Sequence, residues 1–421
     1  GAEDKQGNFV QFAPRLKSEG GKFDPGEWAD LFAASGAKFA GPVAEHHDGF
    51  SMWASEINPW NAKDQAPDMD LVGLLTEEIR KRDMKVILSM HHAFHGFTEP
   101  DGKQRRFFDH APKMDDPELQ MLYGQLSEEE SEEFWLGKHK EIIDKYQPDI
   151  IWQDFNLDAI RESVLLEFLA YYYNQAEEWN KEVVATYKDG YNKDVAVLDY
   201  ERGGPVDLTD FYWLTDDAIS SSSWCYTKGI GYYSSKAVLH GFLDRISKNG
   251  NLLLNISPKA DGSIPEEQKD ILLALGDWLG KFGEAIYNTR AWVKYGEGPT
   301  KMGTGHLHTS TDEDIHLQFE EPLEGTRKDI RFTRSKDNKV LYAIVLGWPG
   351  DHETLSLKSL SPNDFNIQSL ERIELLGEKS NHKLSYKQDD AGMHITMPEK
   401  QSDELAYVIK LSFSEELPMG K

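Results

Sequence analysis

The stretch Pro148-Asp149-Ile150-Ile151-Trp152-Gln153-Asp154 combines a short apolar run with a carboxylate directly after it. A continuous apolar run of this length, bounded by polar residues, predicts a buried parallel strand that is covered on both faces. Runs of the same kind recur through the first two-thirds of the chain, at residues 37–43, 85–90, 183–187, 195–200, 211–214 and 252–256. The sequence therefore predicts a sheet of parallel strands.

Amphipathic segments separate these runs. The first begins at Asp24-Pro25-Gly26-Glu27, which places Asp24 as the N-cap and Pro25 at the first helical position, and it ends at Gly36. Further helices are predicted at residues 71–82, 129–146, 162–179, 235–247 and 265–282. Alternating strands and helices with right-handed crossovers give either a doubly wound sheet or a (β/α) barrel.

The residues that follow the strands favour the barrel. His46-His47, His91-His92, Asp154 and Glu201 each stand at or just beyond the end of a different strand. Polar and ionisable residues at the carboxyl ends of many strands are typical of a TIM-like barrel. No Gly-rich dinucleotide fingerprint follows any strand, which argues against a Rossmann domain.

Composition changes near Gly296-Glu297-Gly298-Pro299, and short alternating runs separated by turn residues dominate beyond it. This pattern predicts a catalytic (β/α) barrel over residues 1–297 and a C-terminal antiparallel β-sandwich over residues 298–421. The polar segment 96–126, which follows the strand that ends near His91, is interpreted as a functional lid, with a disordered segment as the alternative.

Charge and composition exclude several classes of protein. The net charge of -27 argues against a nucleic-acid partner, because an acidic surface repels phosphates. The single cysteine, Cys225, rules out an intramolecular disulfide. No stretch approaches 18 apolar residues, so no membrane span is expected.

Asp154 and Glu201 are the candidate catalytic carboxylates. By the strand period of two, Trp152 points the same way as Asp154, and a rigid carboxylate beside an aromatic wall suits a nucleophile that attacks a sugar carbon. A structural loop carboxylate is the alternative at Asp154. Glu201 fits a general acid/base, with a structural salt bridge as the alternative and Asp199, on the same strand face, as the competitor.

The histidines suit recognition of sugar hydroxyls. His46 and His47 can face one ligand only where the chain has left the strand, and Gly49 supplies such a turn. His91, His92 and His95 could add metal ligands, but their spacing matches no zinc motif. We expect no metal at this site.

Several motifs together resemble the α-L-fucosidases of glycoside hydrolase family 29. They are Lys22-Phe23-Asp24-Pro25-Gly26-Glu27-Trp28-Ala29, Gly36-Ala37-Lys38-Phe39, His46-His47-Asp48-Gly49-Phe50 with Met52-Trp53, Trp152-Gln153-Asp154, Asp199-Tyr200-Glu201-Arg202-Gly203, Trp213-Leu214-Thr215-Asp216, Ser223-Trp224-Cys225-Tyr226, Ser247-Lys248-Asn249-Gly250-Asn251-Leu252-Leu253-Leu254-Asn255 and Pro258-Lys259-Ala260-Asp261-Gly262. Each motif alone is weak, but the set is specific.

The resemblance implies an exo-acting retaining enzyme that removes terminal α-L-fucose from glycans by double displacement, without a cofactor. It implies Asp154 as nucleophile and Glu201 as acid/base. The substrate-binding residues that it implies are His46, His47, Trp53, His91, Trp152 and Trp224. The alternatives are an inactive carbohydrate-binding homologue and a related hydrolase of fucose-containing polysaccharides. A homo-oligomer is left open.

The sequence also departs from the family. Glu45 stands where a lysine is common, and Cys225 replaces a glycine. The family's first strand ends in His-Trp-Gly, which does not occur here. We therefore expect the first barrel strand to lie outside these 421 residues. We interpret Gly1 as a processed start and expect a periplasmic or extracellular bacterial enzyme.

Overall fold

A computed structural model describes residues 2–3, 9–10, 14–93, 111–301, 324–362, 368–377, 384–400 and 402–417. The chain divides into two compact units. The first comprises Gly1–Asp199 and Pro258–Pro265, and the second comprises Tyr200–Ser257 and Glu266–Lys421.

The first unit is built around parallel strands. Its strands are β1 (Ala2–Glu3), β2 (Phe9–Val10), β3 (Phe39–Ala40), β4 (Val43–Glu45), β5 (Lys85–Met90), β6 (Ile150–Gln153), β7 (Val184–Tyr187) and the start of β8 (Val197–Glu201). β1 and β2 form a separate antiparallel pair. β3 and β4 both pair in parallel with β5, and the ladder continues through β6 and β7 to β8.

Helices follow these strands in the chain. They are α1 (Pro25–Ala34), α2 (Leu71–Arg80), α3 (Pro117–Leu122), α4 (Glu128–Tyr146) and α5 (Glu162–Glu178). Side-chain caps fix the starts of α1 and α4, since Asp24 accepts from the backbone N–H groups of Gly26 and Glu27, and Ser127 forms a capping box with Glu130. Apolar side chains from both strands and helices share one core, which includes Val86, Ile151 and Phe168.

The second unit continues the parallel pattern and then changes to antiparallel. β9 (Trp213–Ala218) pairs in parallel with β10 (Gly250–Asn255), and the end of β8 contacts β9 through the backbone N–H of Arg202, which donates to the Asp216 carbonyl. Helices α6 (Ser235–Ser247) and α7 (Glu266–Phe282) complete this part.

Two antiparallel sheets form the remainder of the second unit. Their strands are β11 (Thr289–Glu297), β12 (Ile330–Ser335), β13 (Val340–Val345), β14 (Thr354–Leu357), β15 (Leu370–Leu375), β16 (Tyr386–Asp389), β17 (Gly392–Thr396) and β18 (Tyr407–Phe413). The larger sheet has the order β11-β12-β13-β18-β15 and the smaller β14-β17-β16. Side chains of both sheets, such as Phe332 and Ile395, belong to one hydrophobic core.

These elements confirm the predicted fold class, a (β/α) TIM-like barrel followed by a C-terminal antiparallel β-sandwich. Each predicted parallel strand is present, with β3 and β4 together occupying the predicted run 37–43. No further strand of the described residues pairs into this parallel set, so an additional first strand stays a prediction. The domain boundary after Glu297 also stays a prediction, and β11 before it already pairs with β12.

The segment 96–126 divides into two parts. Residues 96–110 lie outside the described residues, and the proposed lid is not tested there. The rest includes α3, which sequence analysis missed although Asp116-Pro117 is a helix-start signal; Asp116 caps it by accepting from Glu118 and Leu119 N–H groups. Among the described helices, none is both long enough and apolar enough to cross a membrane.

Candidate active site

Asp154 follows β6 at the carboxyl end of the parallel strands of the first unit. Its backbone N–H donates to the Met90 carbonyl at 3.3 Å, which extends the strand pairing by one residue. Just beyond it, Asn156 adopts a left-handed φ of 80°, and its backbone N–H donates to Asp189 at 2.8 Å. The side chain of Asp154 is only 10% exposed. The strand and the ordered turn therefore hold this carboxylate in one place.

Two cationic or protonatable groups face the Asp154 carboxylate from segments that follow other strands of the first unit. Nε2 of His47 lies 3.3 Å from Oδ2, and Nζ of Lys188 lies 3.5 Å from Oδ1. Burial raises the pKa of Asp154, but the charge of Lys188 and the hydrogen bond from His47 outweigh it and hold that pKa well below its usual range. Asp154 is therefore ionised at neutral pH, as a nucleophile requires.

Three histidines form a cluster beside this carboxylate. The exposed ring of His46 stacks on His91 at 4.2 Å, and the ring of His47 meets His91 edge-on at 5.1 Å. His47 Nδ1 lies 3.2 Å from the His91 carbonyl oxygen. Each ring is thus positioned by its neighbours.

The backbone sets the tautomer of His91. Its Nδ1–H donates to the Glu45 carbonyl at 3.0 Å, and burial lowers the pKa of His91 to about 4. The ring is therefore neutral at pH 7 and keeps an acceptor lone pair on Nε2, which lies 3.8 Å from Asp154. That nitrogen can accept a hydrogen bond from a hydroxyl.

Trp152 lies on the same side of β6 as Asp154, as the strand period predicts. Its ring packs 5.0 Å from His91, and its Nε1–H donates to Asp199 at 3.0 Å. Asp199 is fully buried and also lies 3.5 Å from Lys188. The alternative catalytic carboxylate on β8 is thus engaged by an indole and an ammonium inside the core.

Glu201 and Trp224 belong to the second unit. Glu201 is the last residue of β8 and is half-buried. The next residue, Arg202, turns the chain with a φ of 51° and packs its guanidinium over the Trp224 ring at 4.1 Å. Arg202 also lies 3.3 Å from Asp217. Trp224 is half-buried, so part of its ring stays accessible.

Comparison with known proteins identifies the family. Residues 3–284 match the family model described as Alpha-L-fucosidase, and residues 324–412 match the Alpha-L-fucosidase C-terminal domain. The chain belongs to the α-L-fucosidase family. This membership classes it as a glycoside hydrolase and supports α-L-fucosidase activity.

Individual fucosidases are similar along most of the chain. Human tissue alpha-L-fucosidase is 28% identical over 96% of this chain and 78% of its own length. The crystal structure of the Thermotoga maritima alpha-fucosidase in complex with fucose is 27% identical, covers 93% of this chain and 79% of that chain, and has a TM-score of 0.68. A family 29 alpha-L-fucosidase from Bacteroides thetaiotaomicron shares the fold at 18% identity, 93% and 81% coverage and a TM-score of 0.66.

The structure places one predicted substrate-binding residue of this fucosidase in the core. Trp53 is fully buried, and its Nε1–H donates to Glu141 at 2.7 Å. Glu141 also accepts from the Ser55 hydroxyl at 2.7 Å and from the Glu56 backbone N–H at 2.6 Å. In this arrangement the Trp53 ring anchors the loop after the His46–His47 turn, and its contact with substrate stays a prediction.

Replacing Trp53 by phenylalanine is expected to lower the free energy of unfolding by about 2 kcal/mol, since the buried Glu141 loses one donor and the core loses volume. The KM for an aryl fucoside should change less than about twofold. Trp152→Phe is the matched comparison and should raise KM more. Urea unfolding and steady-state kinetics test this, and a large KM effect at Trp53 would show that the ring contacts the substrate.

Sequence analysis also missed a buried ionic cluster behind the histidines. The Glu45 carboxylate accepts from Lys138 Nζ at 2.5 and 2.7 Å and from His92 Nδ1 at 2.8 Å. Burial raises the pKa of Glu45, but the charge of Lys138 outweighs it and holds that pKa well below its usual range. Glu45, which departs from the family's common lysine, is thus matched by a lysine on α4.

The expectation that this site binds no metal stays a prediction. Within the described ranges, no group of three or more His, Cys, Asp or Glu side chains is arranged to hold a metal ion. His95, one of the predicted alternatives, lies outside the described residues.

The buried histidine His139 makes stability depend on pH. Burial lowers its pKa from 6.5 to about 4, so the unfolded chain binds a proton between these values while the folded chain does not. The contribution of His139 to the free energy of unfolding is therefore fully present above pH 6.5 and is lost as the pH falls towards 4.

His139→Gln is expected to reduce this acid loss by about 2 kcal/mol between pH 7 and pH 4.5, because each pKa unit corresponds to about 1.4 kcal/mol. Urea unfolding of the wild type and variant at both pH values measures it. His394→Gln, at a partly exposed histidine, is the control. Equal acid losses in wild type and His139→Gln would contradict the interpretation.

Proposed function

We propose that the chain is an exo-acting retaining α-L-fucosidase that hydrolyses terminal α-L-fucose from glycans by double displacement. The observation that carries this proposal is the carboxylate of Asp154, held at a strand end between Lys188 and His47. Such a group can attack an anomeric carbon and form a covalent glycosyl-enzyme.

Glu201 is proposed as the acid/base. In the first step its carboxylic acid protonates the departing glycosidic oxygen, while Asp154 forms the bond to the anomeric carbon. In the second step the Glu201 carboxylate removes a proton from water, which displaces Asp154 and releases fucose. Asp199 is the weaker candidate, since it is fully buried and held by Trp152 and Lys188.

The remaining predicted residues are proposed to bind the sugar. Neutral His91 offers an acceptor nitrogen for a hydroxyl hydrogen, and His46 and His47 lie beside it. Trp152 and Trp224 offer apolar ring surface for the C–H faces and the methyl group of fucose. We also propose that the enzyme acts in the periplasm or outside the cell, on fucosylated glycans.

A panel of chromogenic aryl glycosides tests the proposal. The aryl α-L-fucoside should be hydrolysed, and aryl α-L-rhamnoside and β-D-galactoside serve as controls of sugar recognition. Proton NMR at early times should show α-L-fucose as the first product. No fucoside hydrolysis would favour an inactive carbohydrate-binding homologue, and β-L-fucose as first product would exclude retention.

A further inference from the structure

Lys188 is a fully buried lysine in the first unit, at the residue directly after β7. Its Nζ lies 3.5 Å from Asp154 Oδ1 and 3.5 Å from Asp199 Oδ2. The ammonium also packs 4.6 Å from the Phe155 ring centroid and 5.0 Å from that of Trp152. One buried cation thus lies between two buried carboxylates, with aromatic rings at its sides.

The geometry brings the two carboxylates close together. Because each oxygen lies 3.5 Å from the same nitrogen, the two oxygens are no more than about 7 Å apart. Two carboxylates that share a buried site without a cation cannot both stay ionised, and one of them takes up a proton. The ammonium between the two carboxylates offsets their mutual repulsion, so both can stay ionised.

Asp199 connects this ion pair to the proposed sugar-binding wall. The same oxygen, Oδ2, that faces Lys188 accepts the hydrogen bond from Trp152 Nε1 at 3.0 Å. Asp154, Lys188, Asp199 and Trp152 therefore form one continuous polar chain across β6, β7 and β8. A change in Lys188 acts on the Asp154 charge and, through Asp199, on the Trp152 ring.

We infer that Lys188 is a positioning residue whose charge, shared between Asp154 and Asp199, keeps Asp154 ionised as the nucleophile, and that Asp199 serves to hold Lys188 and Trp152. This inference rests on the proposed function, since it assigns a role relative to the nucleophile Asp154. The direction of the Asp154 pKa, held low chiefly by Lys188 against burial, agrees with it.

Other titratable groups also face Asp154. In the first unit they are His47 at 3.3 Å and His91 at 3.8 Å, with His46 stacked on His91. Removing the Lys188 charge also alters these histidines, so a shift in a pH profile has two possible sources. Repeating the measurement in a His91→Gln background shows whether His91 is the source of the shift.

The test is the pH dependence of kcat/KM on an aryl α-L-fucoside for charge variants at the two positions. Lys188→Met should lower kcat/KM at neutral pH by at least about tenfold. It should also move the acid limb of the pH profile of kcat/KM upward by at least about one pH unit, because one carboxylate must then hold a proton. Lys188→Arg keeps the charge and should keep the acid limb of the wild type. The upward shift should persist in the His91→Gln background.

The double variant Lys188→Met/Asp199→Asn is the decisive comparison. It removes one positive and one negative charge together, so its acid limb should return towards that of the wild type although Lys188 is absent. Asp199→Asn alone should not raise the acid limb. If Lys188→Met does not fold, as judged by thermal unfolding, Lys188→Gln replaces it in both arms.

The outcomes separate this inference from the proposed function. A wild-type protein without fucosidase activity would refute the proposed function itself. An active wild type, with Lys188→Met less stable but unshifted in its acid limb, would show that Lys188 is only a structural ion pair and would overturn the inference. A double variant shifted as far as Lys188→Met would also overturn it, because shared charge would then not be the cause.

Discussion

Asp154→Asn is expected to lower kcat/KM on an aryl α-L-fucoside by at least about a thousandfold, while the free energy of unfolding changes little. The amide has nearly the shape of the carboxylate and can stay in the same place after β6, but it cannot form the glycosyl ester. Steady-state kinetics and urea unfolding of the same preparation measure the two effects.

The matched control is Asp158→Asn, at an exposed carboxylate a few residues further along the same loop. Its kcat/KM should stay within about twofold of wild type, since it is not part of the reacting chemistry. More than about a tenth of wild-type activity in Asp154→Asn would rule out the nucleophile assignment, because such groups supply several powers of ten.

Glu201→Ala is expected to separate the two steps of the reaction. A substrate with an activated phenolate leaving group needs no proton for departure, so the glycosyl-enzyme should still form. Its breakdown should be slow, since no base activates water, and overall turnover should fall by about 100-fold or more. Azide needs no base, so it should restore turnover and yield a fucosyl azide with retained configuration.

Asp199→Asn is the matched control for this rescue. It removes the competing carboxylate, while the amide oxygen of the new side chain can still accept from Trp152, so azide should not change its turnover. Rescue of Asp199→Asn together with normal turnover of natural substrates by Glu201→Ala would move the acid/base role to Asp199. Product analysis by NMR gives the configuration of the azide.

The parallel strands and the position of Asp154 were predictable from sequence because they depend on local pattern. An apolar run such as residues 150–152, bounded by polar residues, is typical of a strand covered on both faces, and Asp154 directly after that strand therefore lies at its end. The alternation of side chains along a strand also predicted that Trp152 lies on the same face as Asp154, and that Asp199 lies on the same face as Glu201. These inferences need only the chain within a few residues.

The ion pairs could not be predicted, since their partners are distant in sequence. Lys138 pairs with Glu45 across 93 residues, and Lys188 meets Asp154 from the following strand. Nothing in the sequence near Lys188 distinguishes it from an exposed lysine. An unusual glutamate at position 45 was a signal that a buried cation should face it, but only the fold identifies Lys138.

The role of Trp53 could not be decided from sequence for a physical reason of the same kind. An aromatic residue near a histidine motif suits both a sugar platform and a core anchor, and sequence cannot show which side of the loop it takes. In the structure the Trp53 indole is one of three donors that converge on Glu141. A buried carboxylate that needs donors is satisfied by the Trp53 indole.

Covalent trapping of the nucleophile tests the central claim most directly. Incubation with a fluorinated fucosyl fluoride, which forms the glycosyl-enzyme quickly but releases it slowly, should add one sugar to the intact protein. Digestion and tandem mass spectrometry should then locate that sugar on Asp154, and Asp154→Asn should remain unlabelled. A sugar on any other residue, or hydrolysis of the reagent by the wild type without a covalent adduct, would contradict the account.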